Sequence, residues 1–127
     1  MAGDPRTRLG TTGESLAARH LEALGFEIVE RNFRTRYGEL DIVAADGRFL
    51  VFCEVKTRIA RGPPGPLGPF AAIGPRKRRQ VRLMAREWLA TDGSARARPP
   101  ELRFDAIGVT LDRDARLTEL EHLEAAF

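Results

Sequence analysis

The sequence predicts an α/β protein, because two segments with helical periodicity are interleaved with segments of strand composition. The helical segments are Thr11 to Leu24 and Pro75 to about Ala90, and the strand segments are Phe26 to Arg34, Leu40 to Ala45, Arg48 to Val55 and Leu102 to Leu111. Arg116 to His122 fits either a last strand or a helical turn. A length of 127 residues is usual for one domain. We therefore expect a single domain over residues 1–127, with a flexible N-terminus over residues 1–10.

The first helix is predicted by apolar residues at helical spacing, namely Ala17, Ala18, Leu21 and Leu24, and its end is predicted by Gly25. Glu14 lies three residues before the first of these apolar positions, which places its carboxylate on the inward stripe. In the alternative interpretation, Thr11 and Glu14 form a capping box, and Glu14 only closes the start of the helix. The sequence leaves both interpretations open.

Asp46-Gly47 is the strongest turn signal in the chain and predicts a hairpin between the second and third strands. A two-residue turn pairs Ala45 with Arg48, which puts Asp41 opposite Phe52 and diagonal to Glu54. Alternation then gives one face with Glu39, Asp41, Leu50, Phe52, Glu54 and Lys56, and another with Ile42, Val51, Cys53 and Val55. We expect the second, apolar face to be the core.

The acids on the first face are candidate metal ligands. Asp41 and Glu54 are near enough in this register for both carboxylates to reach one cation, and Mg²⁺ or Mn²⁺ prefers such oxygen ligands. The alternative is a solvated strand face on which Lys56 is an ordinary surface charge. Only Lys56 and Lys77 are lysines among the 21 basic residues, so each lysine suggests a role that arginine does not fill.

The second helix is predicted to have two chemically different sides. Val81, Met84, Ala85 and Trp88 form an apolar side, and Arg78, Arg79, Arg82 and Arg86 lie on the other. Pro75 suits its first position, and basic residues from Pro75 to Arg79 predict a phosphate-binding helix start, with a solvated helix face as the alternative. The preceding segment from Ile59 to Gly74 is rich in proline and glycine, which predicts a mobile loop.

The composition narrows the class of protein. Apolar residues make up 43% of the chain, and no stretch reaches the roughly 20 apolar residues of a membrane-spanning helix. The start of the chain has no apolar run of signal-peptide length, so we expect a cytoplasmic protein without a membrane partner. The single cysteine, Cys53, cannot form an internal disulfide and is expected in the core. A structural zinc site is not expected, because the chain has only one cysteine and two histidines as possible ligands of that kind.

Several strings together resemble a known nuclease pattern. Asp41, the hairpin, Glu54-Val55-Lys56 and a helical Glu14 are similar to the PD-(D/E)XK signature. The wider strings are Gly13-Glu14, Arg31-Asn32-Phe33-Arg34, Gly38-Glu39-Leu40-Asp41-Ile42-Val43-Ala44, Val51-Phe52-Cys53-Glu54-Val55-Lys56-Thr57-Arg58 and Arg103-Phe104-Asp105. They resemble the bacterial YraN family of endonuclease-like proteins, which is related to archaeal Holliday junction resolvases, over roughly Gly13 to Val109.

The resemblance implies a restriction-endonuclease-like fold, in which a central mixed β-sheet is flanked by α-helices. It also implies that Asp41 and Glu54 bind Mg²⁺, with Mn²⁺ as a substitute, together with the carbonyl of Val55 and with Glu14 directly or through water. Lys56 would orient the attacking water or stabilise charge on the phosphate.

The resemblance further implies an endonuclease that cuts DNA, including branched recombination or repair intermediates. The basic helix would supply the DNA-binding residues, namely Arg76, Lys77, Arg78, Arg79 and Arg82. A two-fold homodimer would provide two sites for symmetric cuts. The alternatives are a nucleic-acid-binding protein that keeps the nuclease fold without turnover, an interaction protein with an acidic hairpin face, and a nuclease that acts on RNA.

Overall fold

A computed structural model of the protein describes residues 5–60, 74–91 and 99–127, which form a five-stranded mixed sheet with two helices. The elements in chain order are α1 (Pro5–Ala23), β1 (Glu27–Thr35), β2 (Gly38–Ala45), β3 (Phe49–Ile59), α2 (Pro75–Thr91), β4 (Glu101–Leu111) and β5 (Leu117–Leu123). The predicted α/β class is confirmed, and the arrangement is consistent with a restriction-endonuclease-like fold. None of the described helices is both long and apolar enough to cross a membrane.

The strands lie in the sheet in the same order as in the chain. β1, β2 and β3 are antiparallel neighbours, β3 and β4 are parallel, and β5 returns antiparallel to β4. A parallel pair needs a long crossover connection, and α2 lies in the connection between β3 and β4. The segment for which the sequence left two interpretations is therefore a strand, β5.

Both faces of the sheet are buried, which corrects the prediction of a core on one face only. Ile42, Val51 and Cys53 pack with α1 in one cluster. Leu50 and Phe52, predicted on the polar face, pack with α2 in a second cluster around Trp88. The prediction failed because alternation assigns a residue to a face but does not say whether a helix covers that face. Cys53 is in the core, as expected.

The first helix begins at Pro5, which is six residues earlier than predicted. Thr11 therefore lies inside the helix and cannot cap it, and the capping-box interpretation is wrong. The helix ends as predicted: the N–H of Gly25 donates to Glu22 O at 3.0 Å and the N–H of Phe26 to Leu21 O at 3.0 Å, a Schellman arrangement.

The hairpin between β2 and β3 has a different register from the predicted one. Ala45 pairs with Leu50 instead of Arg48, and Ile42 pairs with Cys53. The cause is the side chain of Asp46, because its Oδ1 accepts the N–H groups of Arg48 at 2.8 Å and Phe49 at 2.6 Å and so stabilises a longer turn. The shift of the partner by two residues moves Asp41 from beside Phe52 to beside Glu54. The alternation also breaks at Asp41, because Leu40 packs with α2 and Ile42 with α1. Glu39 therefore meets Glu14 of α1 whereas Glu54 meets Lys77 of α2, which corrects the prediction that Glu39 and Glu54 share one face.

The second helix agrees with the sequence. It starts at Pro75, its apolar residues Val81, Met84, Ala85 and Trp88 are buried, and Arg78, Arg79, Arg82 and Arg86 are exposed. The preceding strand β3 is longer than predicted and continues to Ile59, which pairs with Leu111 of β4. Most of the segment predicted as a mobile loop, residues 61–73, lies outside the described residues, as do residues 92–98.

Candidate active site

Asp41 lies where the ladder between β2 and β3 ends. The last paired residues of this ladder are Ile42 and Cys53, so Asp41 comes next to Glu54. There the Asp41 carboxylate replaces the main-chain pairing, because its Oδ2 accepts the N–H of Val55 at 2.8 Å. The residue is only 4% exposed. The sequence therefore buries a carboxylate between two strands and gives it one backbone donor.

Three carboxylates meet at this point. One oxygen from each of Glu14, Glu39 and Asp41 lies within 4.8 Å of the other two. Glu14 reaches the group from α1, which confirms the inward-facing interpretation of this residue, and Glu39 and Asp41 come from β2. Glu39 also pairs with Arg34 at 3.0 Å, in a pair that solvent reaches, since the Arg34 side chain is 73% exposed and the Glu39 side chain 42%.

Glu54 adds a fourth carboxylate from β3. Its Oε1 lies 2.9 Å from Nζ of Lys77, a residue of the first turn of α2. Its Oε2 is buried and has no hydrogen-bond partner among the described residues. A buried carboxylate oxygen without a partner costs free energy, and a cation bound to it would offset that cost. This oxygen is therefore available as a metal ligand.

The electrostatics show how poorly these acids are neutralised. Burial, and then the charge of Glu54, raise the pKa of Asp41 to about 8, and the hydrogen bond from Val55 does not offset them. Burial also raises the pKa of Glu14, together with the nearby Glu39 carboxylate, against the opposing charge of Arg31. Oxygen ligands at this density and with this shortage of positive charge fit a hard divalent ion such as Mg²⁺ or Mn²⁺.

Two glycines bring the elements of the site together. A side chain at Gly13 would overlap Thr57 of β3, so this glycine allows α1 to approach the sheet closely just before Glu14. Gly38 has a φ of 142°, and a side chain there would overlap Gln80 of α2. Gln80 donates from Nε2 to the carbonyl oxygen of Tyr37 at 3.1 Å, which ties α2 to the turn between β1 and β2.

The structure places the predicted site residues unequally. Glu14, Asp41 and Glu54 come together, and the half-buried Val55 contacts Asp41 through its N–H. Lys56 is exposed and forms no hydrogen bond or salt bridge within residues 5–60, 74–91 and 99–127. The predicted basic surface of α2 is present, with Arg76, Arg78, Arg79 and Arg82 all exposed.

Two contributions were missed from the sequence. Lys77 was assigned to the basic surface of α2, yet it turns inward to Glu54. The signal that could have found it was its rarity, since it is one of only two lysines in the chain. Gln80, which bridges Lys77 and the turn after β1, carried no signal, because a single glutamine on a helix is ordinary.

Comparison with known proteins identifies the family. The family model described as "Uncharacterised protein family UPF0102" matches residues 13–109, a span that contains all four acids and both lysines. A UPF0102 protein of Rhodococcus jostii is 44% identical over 119 residues, which cover 94% of this chain and 95% of that protein. A relative from Streptomyces griseus is 48% identical over 108 residues, covering 85% and 87% of the two chains. A relative from Geobacter sulfurreducens is 46% identical over 120 residues, covering 94% and 88%. The chain therefore belongs to the UPF0102 family, the YraN family that its motifs resemble.

Proposed function

We propose that the protein is a metal-dependent nuclease that hydrolyses phosphodiester bonds in DNA. The observation that carries this proposal is the environment of Asp41, whose pKa lies near 8 because it is buried beside three other carboxylates. Four neighbouring carboxylates repel one another and so destabilise the fold, which means that stability does not explain why they lie together. Perturbed acids of this kind are characteristic of functional sites.

The acids and Lys56 would have different roles in the site. Asp41, Glu54 and Glu14 would hold one Mg²⁺ or Mn²⁺, with the carbonyl of Val55 as a further ligand and Glu39 close by. A bound divalent ion supplies a Lewis acid at the phosphate and lowers the pKa of a coordinated water. Lys56 would orient the water that adds to phosphorus while one ester P–O bond breaks. Its exposed side chain is free to turn toward a substrate.

The exposed basic face of α2 supports a nucleic-acid substrate. Arg76, Arg78, Arg79 and Arg82 extend from the first turn of α2, and Lys77 in the same turn reaches the acids. Phosphate contacts of this kind set the position of a protein on DNA. A DNA strand along this face would pass the acid cluster. We propose branched recombination or repair intermediates as substrates, and a homodimer as the form that cuts two strands.

One observation favours a second candidate function. Lys56, the lysine of the nuclease signature, is exposed and forms no hydrogen bond or salt bridge with the acids in the described part of the chain. A protein that bound nucleic acid through the fold without turnover would have no need of that contact. The two functions differ in one result, because only the nuclease converts its substrate in the presence of a divalent ion.

The direct test is cleavage of labelled linear, flapped and four-way DNA by the pure protein with Mg²⁺, Mn²⁺ or EDTA. We expect products only with a divalent ion, and none from an Asp41→Asn variant. Asparagine keeps an oxygen that can accept the Val55 N–H, so this variant removes the charge and retains the local hydrogen bond. Metal-independent products, or equal cleavage by the variant, would contradict the proposal. Binding without cleavage would select the second candidate.

The basic face of α2 has its own test. Replacing Arg78 and Arg82 together by alanine should weaken DNA binding and lower the slope of log K against log salt concentration by roughly one to two, because about two phosphate contacts are lost. Binding is measured between low and moderate salt with Ca²⁺ in place of Mg²⁺. An unchanged slope would mean that DNA binds to another surface.

A further inference from the structure

Lys77 has a different environment from the other cations in its helix turn. Its Nζ lies 2.9 Å from Oε1 of Glu54, and its side chain is 33% exposed. Arg76, Arg78 and Arg79, its neighbours in the same turn, are all exposed. Lys77 is thus the innermost cation of the basic face and lies at the mouth of the acid cluster.

The position of Lys77 is built by other residues. Its ammonium also donates to Oε1 of Gln80 at 3.3 Å, while Nε2 of Gln80 donates to the carbonyl of Tyr37. Gly38 leaves the space that this glutamine occupies. The side chain of Lys77 is therefore directed from two sides, by an acid of the site and by a glutamine anchored on the turn after β1.

The type of side chain matters at this position. An ammonium is a single compact charge that can leave one carboxylate oxygen for another anion. A guanidinium in the same place would engage Glu54 with two N–H groups and hold it. This chain uses arginine for 19 of its 21 basic residues (21 less Lys56 and Lys77), so the lysine at 77 is an exception that fits an exchangeable contact.

We propose that Lys77 is a second functional lysine of the nuclease centre: its charge at Oε1 of Glu54 opposes the binding of a divalent ion at Oε2 of the same carboxylate, and it then binds the substrate phosphate. The inference rests on the proposed nuclease function and deepens it. While it is paired with Lys77, Glu54 is partly neutralised. When Glu54 becomes a metal ligand, the ammonium of Lys77 is released beside the exposed arginines of α2, where a phosphate of the DNA would lie.

The first test is Mn²⁺ binding by calorimetry in the absence of DNA. Lys77→Met keeps the length of the side chain and removes its charge, and Arg86→Met removes one exposed charge from the same helix. We expect Lys77→Met to bind Mn²⁺ at least about threefold more tightly than wild type, because the competing cation is gone. Arg86→Met should match wild type within about twofold. Equal Mn²⁺ affinities for the two variants would contradict competition between Lys77 and the metal ion at Glu54.

Lys77→Arg keeps the proposal falsifiable if the methionine variant does not fold. It retains the charge and should bind Mn²⁺ several-fold more weakly than wild type, since a bidentate pair is harder to displace from Glu54. If the Lys77→Arg variant bound Mn²⁺ and cleaved DNA as wild type does, any cation would serve at this position. That result would overturn the inference.

The phosphate contact is tested by DNA binding in Ca²⁺ across a range of salt. Lys77→Met should lower the salt slope by roughly one, and Arg86→Met should leave it unchanged. Failure of the inference is distinguishable from failure of the proposed function. If wild type binds Mn²⁺ and cleaves DNA but the Lys77 variants behave like wild type, only the inference is wrong. If neither wild type nor any variant binds a divalent ion, the metal site is wrong and the inference falls with it.

Discussion

Asp41 and Asp105 are both buried aspartates of the central sheet, yet their surroundings differ. Asp105, on β4, is fully buried and has four donors: Nε and an NH2 group of Arg103 at 2.9 and 2.8 Å, Nε2 of His122 at 2.7 Å, and the N–H of Ala125 at 3.0 Å. Asp41, which is 4% exposed, has one backbone donor and three acidic neighbours.

The two pKa values move in opposite directions. Burial alone would raise the pKa of Asp105, but the hydrogen bonds from His122, Arg103 and Ala125 outweigh it and the pKa is lowered. Burial raises the pKa of Asp41 to about 8, and Glu54 adds to the shift. Burial is common to both, so the supply of donors and positive charge is what distinguishes a structural acid from a candidate functional one.

The largest effect is expected at the well-partnered site. Asp105→Asn should lower the free energy of unfolding by about 3–5 kcal/mol, because it leaves the largely buried guanidinium of Arg103 without its carboxylate. Chemical denaturation at pH 7 measures this loss. Since the pKa of Asp105 is lowered by folding, the wild-type contribution is present above the ordinary aspartate pKa and is lost as the pH falls. A loss below about 1 kcal/mol would show that donor count does not mark a structural role.

At the acid cluster around Asp41, substitutions are expected to affect DNA cleavage more than stability. Lys56→Arg keeps a positive charge but replaces a compact ammonium with a wider fork, so single-turnover cleavage should fall at least about tenfold, or roughly 1.4 kcal/mol of transition-state stabilisation. DNA binding in Ca²⁺ should survive. A cleavage rate equal to wild type would remove Lys56 from the catalytic residues, whatever the acids do.

A smaller effect of opposite sign is expected on stability at Asp41. Asp41→Asn should raise the free energy of unfolding in EDTA by about 1 kcal/mol or more at pH 9, because ionising the buried aspartate is unfavourable. The native pKa is raised, so wild type loses stability as the pH rises from about 4 to about 8, and the variant should match it at low pH. Mn²⁺ should then stabilise wild type and leave the variant unchanged. A variant less stable than wild type at pH 9 would make Asp41 a structural residue.

The fold was largely predictable because its elements follow local periodicity. The apolar side of α2 and the turn at Asp46-Gly47 were visible in the sequence. The closeness of Asp41 to Glu54 was also predictable, because the two carboxylates are neighbours in the predicted register as well as in the observed one. The register itself was not predictable, because the side chain of Asp46 stabilises a longer turn than the dipeptide alone suggests.

The contacts that separate the two aspartates were not visible in the sequence. Lys77 reaches Glu54 from another element, and Asp105 gathers donors from its own strand, from β5 and from Ala125 beyond it. Such contacts depend on how helices and strands pack, which periodicity does not encode. The acids themselves were predictable as candidates, but which of them lacked partners was not.

The smallest effect is expected at His20, which lies at the edge of the Asp105 network, that is, Asp105 with its donors Arg103, His122 and Ala125. Nε2 of His20 lies 3.0 Å from Nδ1 of His122, and Nε2 of His122 contacts Asp105. Burial lowers the pKa of His20, with a further contribution from His122, so the native state resists protonation and wild type should lose a little stability as the pH falls below about 6.5. His20→Gln keeps an amide that can hydrogen-bond to His122 and removes the titration. Thermal unfolding at pH 7.5 and pH 5.5 should therefore show a slightly smaller acid-induced drop for the variant, with similar stability at the higher pH. A marked loss at pH 7.5 would instead mean that His20 supports the orientation of His122, and that the Asp105 network extends into α1.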